Sequence, residues 1–145
     1  MDDKLQELID GLNEDLANEY GAAIQYTYSA AVVSGLFRSA LKPFFEEEIA
    51  DEMGHALYLS EKITALGGTP TTQAADIPQP TEVKDLLAAV KQAEADTITR
   101  YETRKKQAEA LGMTELVVKL EDMIADETEH KEEVERMLTD SRFNS

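Results

Sequence analysis

Two short stretches of this sequence decide its fold: residues 52–55, Glu-Met-Gly-His, and residues 127–130, Glu-Thr-Glu-His. They contain the only two histidines of the chain, and each histidine follows a glutamate by three residues. On an α-helix, positions i and i+3 lie on the same face, so each pair is able to bind one metal ion. The two stretches therefore predict two helices that carry metal ligands.

Two more glutamates extend this pattern into a repeat. Glu19 precedes Glu52 by 33 residues, and Glu94 precedes Glu127 by the same interval. The midpoint of each interval falls close to a glycine, where we expect the chain to turn. Folding each half of the chain about its midpoint places the earlier glutamate level with the Glu-x-x-His pair. The repeat thus predicts two helical hairpins, each with one Glu and one Glu-x-x-His.

The apolar residues predict how these hairpins are connected. They recur at spacings of three and four in four segments, which is the period of an amphipathic helix. Gly35 and Gly112 interrupt the pattern briefly, whereas residues 67–80 contain two glycines and three prolines. We expect one domain over residues 1–145, with helices at about 3–35, 39–66, 81–111 and 114–139 and a crossover at about 67–80. The predicted fold class is all-α, a four-helix bundle with one long crossover between helices 2 and 3.

The predicted ligands lie in the apolar stripes, near the middle of each helix. A buried carboxylate without a partner costs several kcal/mol, so four helices that bury acids together need a compensating charge. Two divalent cations would supply it. Carboxylates and imidazoles without a thiolate suit iron or manganese, and zinc is physically plausible in their place. The predicted metal ligands are Glu19, Glu52, His55, Glu94, Glu127 and His130.

The composition mainly excludes classes of function. The chain has 14 basic and 30 acidic residues, a formal net charge of −16, which disfavours binding to nucleic acid. It has no cysteine, which excludes disulfides and thiolate-ligated metal sites. It also has no secretory signal and no apolar run of membrane-spanning length. We therefore expect a soluble, cytoplasmic protein with neither nucleic acid nor membrane as a partner.

The predicted ligands and their neighbours resemble the ferritin-like superfamily, most closely the bacterioferritins and their smaller relatives. Asn18-Glu19 and Gln25-Tyr26 are similar to the motif of the family's first helix, and residues 51–56, Asp-Glu-Met-Gly-His-Ala, to that of its second. Glu94 and residues 126–130 complete the set, so the resemblance covers essentially the whole chain. It implies a ferritin-like bundle with two iron ions per chain.

The resemblance also implies a role for each ligand and an activity. Glu52 and Glu127 would bridge the two irons, Glu19 and His55 would cap one, and Glu94 and His130 would cap the other. The implied activity is that of a ferroxidase, which oxidises Fe(II) with O₂ or H₂O₂ and stores ferric iron in a hollow homo-oligomer. The implied homo-oligomer has 12 or 24 subunits. Only 15 residues follow His130, too few for the short fifth helix of the larger cages, which counts against 24 subunits and favours a 12-subunit cage or a smaller assembly.

Two more residues acquire a role by resemblance, and each has a simpler alternative. Tyr26 matches a family tyrosine that donates an electron, or it is a core tyrosine that uses its hydroxyl for a hydrogen bond. Met53 matches the methionine that ligates haem b between two subunits, or it packs at a subunit interface. Both interpretations of each residue remain open at this point.

Two other functional classes compete with the ferroxidase. A rubrerythrin-like di-iron peroxidase without a storage cage would need an external electron donor, since there is no cysteine for a rubredoxin-like domain. A metal-free bundle that acts through protein contacts would need four inward-facing acids without a counter-charge. Glu48 also falls in the inward stripe of the second helix, between Phe45 and Glu52. Glu47, Glu48 and Asp51 are able to guide iron to or from the site, but exposed acids on an acidic protein usually have no specific role, so these three are not counted among the ligands.

Overall fold

The computed structural model of this protein describes residues 2–144 and contains four long helices. The helices are α1 (Asp3–Val32), α2 (Arg38–Ala65), α3 (Val83–Ala110) and α4 (Thr114–Met137). Short 3-10 helices, Gly35–Phe37 and Ser141–Phe143, follow α1 and α4, and there is no strand in residues 2–144. The predicted all-α fold class is confirmed. Met1 and Ser145, the two ends of the predicted domain, lie outside the described residues.

The two tight turns lie at the glycines that the sequence singles out. Gly35 has a φ of 81° and Gly112 a φ of 69°, which a residue with a side chain rarely adopts. α1 ends at Val32 rather than at about residue 35, because Ser34 is extended and Gly35 begins a 3-10 turn. Each turn joins two antiparallel helices, so α1 and α2 form one hairpin and α3 and α4 form the other.

Residues 66–82 form the long crossover, which runs along α1. Near the start of α1, the Asn13 side chain donates to the Thr69 carbonyl (3.1 Å) and accepts from the Thr71 backbone N–H (2.8 Å). Near its end, the Tyr28 hydroxyl donates to the Pro80 carbonyl (2.8 Å). The crossover therefore travels the length of α1 and returns the chain to the opposite end, which confirms the predicted topology.

The apolar core is divided into two clusters. One contains Leu12, Leu16 and Leu59, and the other contains Phe45 and Val90, all buried. Between the clusters, the four helices bring acidic side chains into the middle of the bundle. None of the helices in residues 2–144 is both long enough and apolar enough to cross a membrane.

Candidate metal centre

Four glutamates, one from each helix, lie buried in the layer between the two apolar clusters. Glu19, Glu52, Glu94 and Glu127 are between 1% and 3% exposed. The fold positions them because each takes the place of an apolar residue in the inward stripe of its helix. Since an unpaired buried carboxylate is costly, a layer of four requires compensation by hydrogen bonds or cations.

The first hairpin supplies most of one group of possible ligands. Glu19, Glu52, His55 and Glu127 each offer an atom, and these four atoms lie within 4.8 Å of one another. His55 Nδ1 lies 3.6 Å from Glu19 Oε2 and 3.7 Å from Glu127 Oε1. The structure thus brings together the predicted residues of the first half-site and adds a glutamate from the second.

The second hairpin forms a smaller group beside the first. Glu94, Glu127 and His130 offer atoms within 4.8 Å of one another, and His130 Nδ1 lies 3.8 Å from Glu94 Oε2. Glu127 therefore belongs to both groups. Glu52 belongs only to the first group at this distance, so the two halves are similar but not identical.

Each of the six predicted ligands has a buried polar atom without a hydrogen-bond partner in the part of the chain that the structure describes. These atoms are Glu19 Oε2, Glu52 Oε1, His55 Nδ1, Glu94 Oε1, Glu127 Oε1 and His130 Nδ1. Buried polar atoms in folded proteins nearly always have hydrogen-bond partners. Six orphaned atoms in one layer therefore indicate that a bound group, such as a metal ion, belongs between them. Oxygen and imidazole nitrogen are the donors that iron and manganese accept, and the residues therefore fit two such ions.

A small cavity lies among these side chains, next to a larger cleft. The cavity has a volume of about 10 Å³ and is lined in part by Glu52, Glu94 and Glu127. The cleft, of about 270 Å³, lies between α1, α3 and the crossover. Gln25 and Thr97 line both spaces, so they mark the boundary between the cleft and the centre.

The electrostatics of the layer show how the acids and histidines affect one another. Burial, with the neighbouring Glu19 charge, raises the pKa of Glu52 well above its ordinary value. Burial likewise raises the pKa of Glu94 to about 8 and that of Glu127 to about 7. Burial alone would raise the pKa of Glu19 as well, but its close neighbours Glu52 and His55 and the hydrogen bond from Tyr101 lower it. The layer therefore retains protons that a divalent cation would displace.

The two histidines are held as cations by these acids. Burial lowers the pKa of His55, but Glu19 and Glu127 outweigh it and raise the pKa to about 9. Burial also lowers the pKa of His130, and Glu48, Glu127 and Glu94 raise it to about 9. The protons on the histidines thus neutralise part of the acidic layer.

The outer nitrogen of each histidine faces an aspartate from the opposite hairpin. His55 Nε2 lies 3.4 Å from Asp126 Oδ2, and His130 Nε2 lies 3.9 Å from Asp51 Oδ2. A carboxylate on the outer nitrogen fixes the orientation of the imidazole and leaves the inner nitrogen for a metal. Asp126 is within hydrogen-bond distance of His55, whereas Asp51 lies near His130 as a charge without a hydrogen bond.

Two tyrosines donate hydrogen bonds to Glu94 and Glu19. These are the terminal glutamates, the ones that precede the Glu-x-x-His pair in each hairpin. Tyr26 Oη donates to Glu94 Oε2 (2.8 Å), and Tyr101 Oη donates to Glu19 Oε1. Burial raises the pKa of both phenols well above the ordinary value, so both remain protonated donors. Tyr26 was predicted from the sequence, whereas Tyr101 was not.

A simple signal in the sequence would have found Tyr101. The residues of the two half-sites are 75 positions apart: Glu19 and Glu94, Glu52 and Glu127, His55 and His130, and Asp51 and Asp126. Tyr26 and Tyr101 are separated by the same interval. Extending the repeat from the ligands to their neighbours therefore predicts a second tyrosine.

Glu48 corrects one expectation. It lies in the inward stripe of its helix but was set aside with the exposed acids as having no specific role; it is 5% exposed, and its Oε2 lies 2.8 Å from His130 Nδ1. The physical reason is the helical period, since Glu48 lies one turn before Glu52 on the same inward face. Glu47 and Asp51 are exposed, as expected.

A buried ion pair lies one turn beyond the centre, in the first half. Arg104 donates to both carboxylate oxygens of Asp15, at 2.8 and 3.1 Å, and both residues are less than 5% exposed. Gly11 leaves the room that the guanidinium occupies. The pair joins α1 to α3 next to Glu19 and Tyr101.

Met53 lies on the outside of the bundle. It is 46% exposed and lines a shallow apolar groove with Tyr20, Ile24 and Ile49. The groove has a volume of about 480 Å³. Met53 is therefore directed away from the candidate centre, although it lies between two of its ligands in sequence.

Comparisons with known proteins support the family that the geometry suggests. The family model described as a ferritin-like domain matches residues 9–143. A ferritin-like, diiron-carboxylate protein from Bacillus anthracis is 61% identical, with a TM-score of 0.94, over 95% of this chain and 99% of that one. A bacterioferritin from Desulfovibrio desulfuricans, described with its diiron site, is 26% identical, with a TM-score of 0.87, over 98% of this chain and 87% of that one.

A more distant structure shares the fold alone. A Dps protein from Bacillus brevis is 18% identical, with a TM-score of 0.90, over 95% of this chain and 99% of that one. No curated protein sequence matches the chain. The match to the family model over nearly the whole chain and the 61% identical relative lead to the same conclusion. This chain belongs to the ferritin-like family.

Proposed function

We propose that this protein is a di-iron ferroxidase that oxidises Fe(II) with O₂ or H₂O₂ and stores the ferric product in a homo-oligomeric cage. The observation that carries the proposal is the set of six orphaned ligand atoms in one buried layer. Glu19 and His55 would hold one iron, and Glu94 and His130 the other. Glu52 and Glu127 would lie between the two ions. The diiron centres named for two of the relatives support the same assignment.

Charge balance supports two divalent ions rather than one. Four glutamates carry four negative charges when ionised, and two Fe(II) ions supply four positive charges. Binding would displace the protons that Glu52, Glu94 and the histidines otherwise retain. The iron would supply the redox chemistry, since each Fe(II) gives up one electron and two Fe(II), together with two protons, reduce one H₂O₂ to two waters. The protein supplies the buried ligands that hold the ions.

The tyrosines and aspartates would keep the ligands in place. Tyr26 and Tyr101 each occupy one oxygen of a terminal glutamate, which leaves the other oxygen free for a metal. Asp126 and Asp51 face the outer nitrogens of the histidines. Tyr26 is also buried close enough to the centre to donate an electron to it, as the family resemblance implies.

One experiment tests the activity and the storage together. Fe(II) is added in air to the purified protein, and the oxidation rate, the iron retained per chain and the particle size are measured. Many irons per chain in a large hollow particle support storage. Two irons per chain on a small oligomer, with rapid peroxide turnover, would instead identify a peroxidase of the rubrerythrin type.

Variants test the site. Glu52→Ala and Glu127→Ala should abolish rapid oxidation while far-UV circular dichroism shows intact helices. Glu61→Ala is the matched control, because Glu61 is an exposed glutamate on the same helix as Glu52. If Glu52→Ala and Glu127→Ala both oxidise iron at the rate of the control, the assignment of the site is wrong.

The outer groove supports the proposed oligomer. Ile24, Met53 and Leu57 are large apolar side chains that are 50%, 46% and 62% exposed, as expected of a surface that another copy covers. Met53→Asp should reduce the particle size in solution. Titration with haem b separates the two roles of Met53, because a haem ligand would give a Soret band that Met53→Ala removes. Without such a band, Met53 serves only the interface.

A further inference from the structure

The cleft between α1, α3 and the crossover lies beside the centre but supplies none of its ligands. Four residues line both the cleft and the small cavity among the glutamates: Ala22, Gln25, Ala93 and Thr97. The crossover closes one side of the cleft, where the Ala75 backbone N–H donates to the Ala17 carbonyl (2.9 Å). Exposed residues such as Gln92 and Asp96 also line the cleft, so it lies between solvent and the buried layer.

Two buried nitrogen atoms that line this cleft have no hydrogen-bond partner within residues 2–144. They are Gln25 Nε2 and Arg100 Nε. Gln25 is only 5% exposed, so its amide lies at the inner end of the cleft, next to the cavity. Gln25 and Arg100 are 75 positions apart, which is the interval that relates the two half-sites. The two orphaned donors therefore occupy equivalent positions on α1 and α3 and face the same space.

The charges around these donors indicate a ligand with acceptor atoms and no net charge. An amide N–H and a guanidinium N–H donate hydrogen bonds and never accept them, so they do not bind a metal cation. An anion is disfavoured, because Asp76 and Asp96 line the same cleft and Asp15 Oδ1 lies 3.9 Å from Arg100 Nε. A neutral molecule with acceptor oxygens satisfies the donors without adding a charge to the site.

The space next to the centre limits the size of that ligand. The cavity among the glutamates has a volume of about 10 Å³, close to the minimum that holds one water. Thr97 is held at its boundary, because the Thr97 hydroxyl accepts from Arg100 Nη2 (2.9 Å). Hydrogen peroxide is small and neutral, and both of its oxygens accept hydrogen bonds. Dioxygen is equally small, but it is apolar and gains little from buried donors.

We propose that Gln25 and Arg100 bind hydrogen peroxide in the cleft between α1 and α3, from which it reaches the centre past Thr97. This inference rests on the proposed function and narrows its oxidant, because it assigns the cleft to peroxide rather than to dioxygen. Gln25 Nε2 and Arg100 Nε donate to the peroxide oxygens. A site built to hydrogen-bond its substrate discriminates against a molecule that lacks the matching groups, so the same two donors favour peroxide over dioxygen.

The first measurement compares the two oxidants on the iron-loaded protein. Stopped-flow absorbance follows Fe(II) oxidation by H₂O₂ without O₂, and separately by O₂. Gln25→Leu removes the amide at similar volume. It should raise the KM for H₂O₂ and lower the ratio of the peroxide rate to the dioxygen rate about 2- to 10-fold, the effect of one hydrogen bond. If Gln25→Leu unfolds, Arg100→Lys tests the same site, because it removes Nε but keeps a cation near Asp15.

The same cleft provides a matched control. Gln92 lines the cleft, but its Nε2 already donates to Asp96 Oδ1 (2.9 Å). Gln92→Leu therefore removes a glutamine amide without removing an orphaned donor. It should leave both the KM for H₂O₂ and the ratio of the two rates unchanged.

The second measurement detects peroxide at this site without any metal. The chain has no cysteine, so Ala22→Cys introduces a single thiol where the cleft meets the cavity. H₂O₂ transfers one oxygen to the sulfur, which becomes a sulfenic acid, and the other oxygen leaves as water. In the metal-free protein, adding Gln25→Leu should slow this oxidation about 2- to 10-fold. Alkylation of the thiol by iodoacetamide, which measures its access and reactivity, should not slow.

The outcomes separate this inference from the proposed function. An equal loss with H₂O₂ and O₂ in Gln25→Leu would show that Gln25 supports the centre and does not bind peroxide. An unchanged ratio, or an equal change in Gln92→Leu, would show that water alone occupies the donors. Either result overturns the peroxide site, and so does thiol oxidation that is independent of Gln25. If the wild type oxidises Fe(II) with neither oxidant, the proposed function fails, and the thiol measurement alone decides the peroxide site.

Discussion

The half-site on α1 and α2 and the half-site on α3 and α4 have the same ligands in different surroundings. Each has a terminal glutamate, a Glu-x-x-His pair, a tyrosine that donates to the terminal glutamate and an aspartate behind the histidine, always 75 residues apart. In the first half, the Asp15–Arg104 ion pair lies beside Glu19 and Tyr101. In the second half, Glu48 faces His130.

This difference shows that duplicated ligands do not give equivalent metal positions. The counterparts of Asp15 and Arg104 are Val90 and Ser29, neither of which is charged. The first half therefore has a buried acid paired with Arg104 and faced by Arg100, whereas in the second half the additional buried acid, Glu48, contacts the predicted ligand His130. We expect the two inner positions, the metal positions of the two half-sites, to share a coordination chemistry but to differ in affinity and in rate of exchange.

The largest expected effect comes from the glutamate that belongs to both groups of ligands. Glu127→Ala should lose both inner ions, whereas His55→Ala and His130→Ala should each lose one. Replacing even an outer-shell partner lowers metal affinity about 10- to 100-fold, so removal of a ligand should cost at least as much. Counting Mn(II) by equilibrium dialysis checks this order. Equal losses in all three variants would show that the two halves bind only as one unit.

The fold was predictable because its signals are local and repeated. Each inward stripe has the helical period, and both tight turns contain a glycine with positive φ. The residues of the crossover exclude a helix. The end of α1 was less predictable, since Ser34 is extended and Gly35 begins a 3-10 turn, which the apolar pattern does not distinguish from another helical turn.

The candidate site was predictable where a rare residue type occurred at a distinctive spacing, as with the two histidines that each follow a glutamate by three residues. Tyr101 was missed because a tyrosine in an apolar stripe looks like a core residue, and only its contact with Glu19 reveals a role. Glu48 was misjudged because acids are abundant in this chain. The packing of α2 against α4, rather than composition, decides which acid is buried.

Breaking the Asp15–Arg104 ion pair should have the next largest effect. It should lower the stability of the protein rather than its affinity for metal. Arg104→Ala leaves Asp15 buried with only the more distant Arg100, 3.9 Å away, as a cation, so the cost should approach that of a broken buried pair, about 3–5 kcal/mol. Ser29→Ala, at the matched position of the second half, removes a buried hydroxyl and should cost about 1 kcal/mol. Denaturant unfolding of the metal-free variants measures both. A similar loss in the two variants would show that the halves do not differ in support.

The two tyrosines test the comparison further, because each should affect the metal affinity of one inner position only. Tyr101→Phe removes the donor to Glu19 and should weaken the His55 position about 10- to 100-fold. Tyr26→Phe should do the same at the His130 position. Mn(II) affinity is measured in His130→Ala, which retains the first position, and in His55→Ala, which retains the second. A tyrosine that supports only the fold would weaken both positions equally, and that result would contradict the assignment.

The smallest expected effect is a pH dependence that both halves share. The pKa values of His55 and His130 are raised to about 9, so their stabilising contribution is complete below pH 6.5 and is lost as the pH rises towards 9. The raised pKa of Glu94, about 8, acts in the same direction, since the folded state retains a proton that the unfolded state releases.

The melting temperature of the metal-free protein should therefore fall between pH 6.5 and 9. His55→Gln and His130→Gln should each reduce this fall. Bound Mn(II) should reduce it in the wild type, because the ions replace the protons. A melting temperature of the metal-free protein that stays constant over this range would show that the acids of the two halves do not hold the histidines as cations.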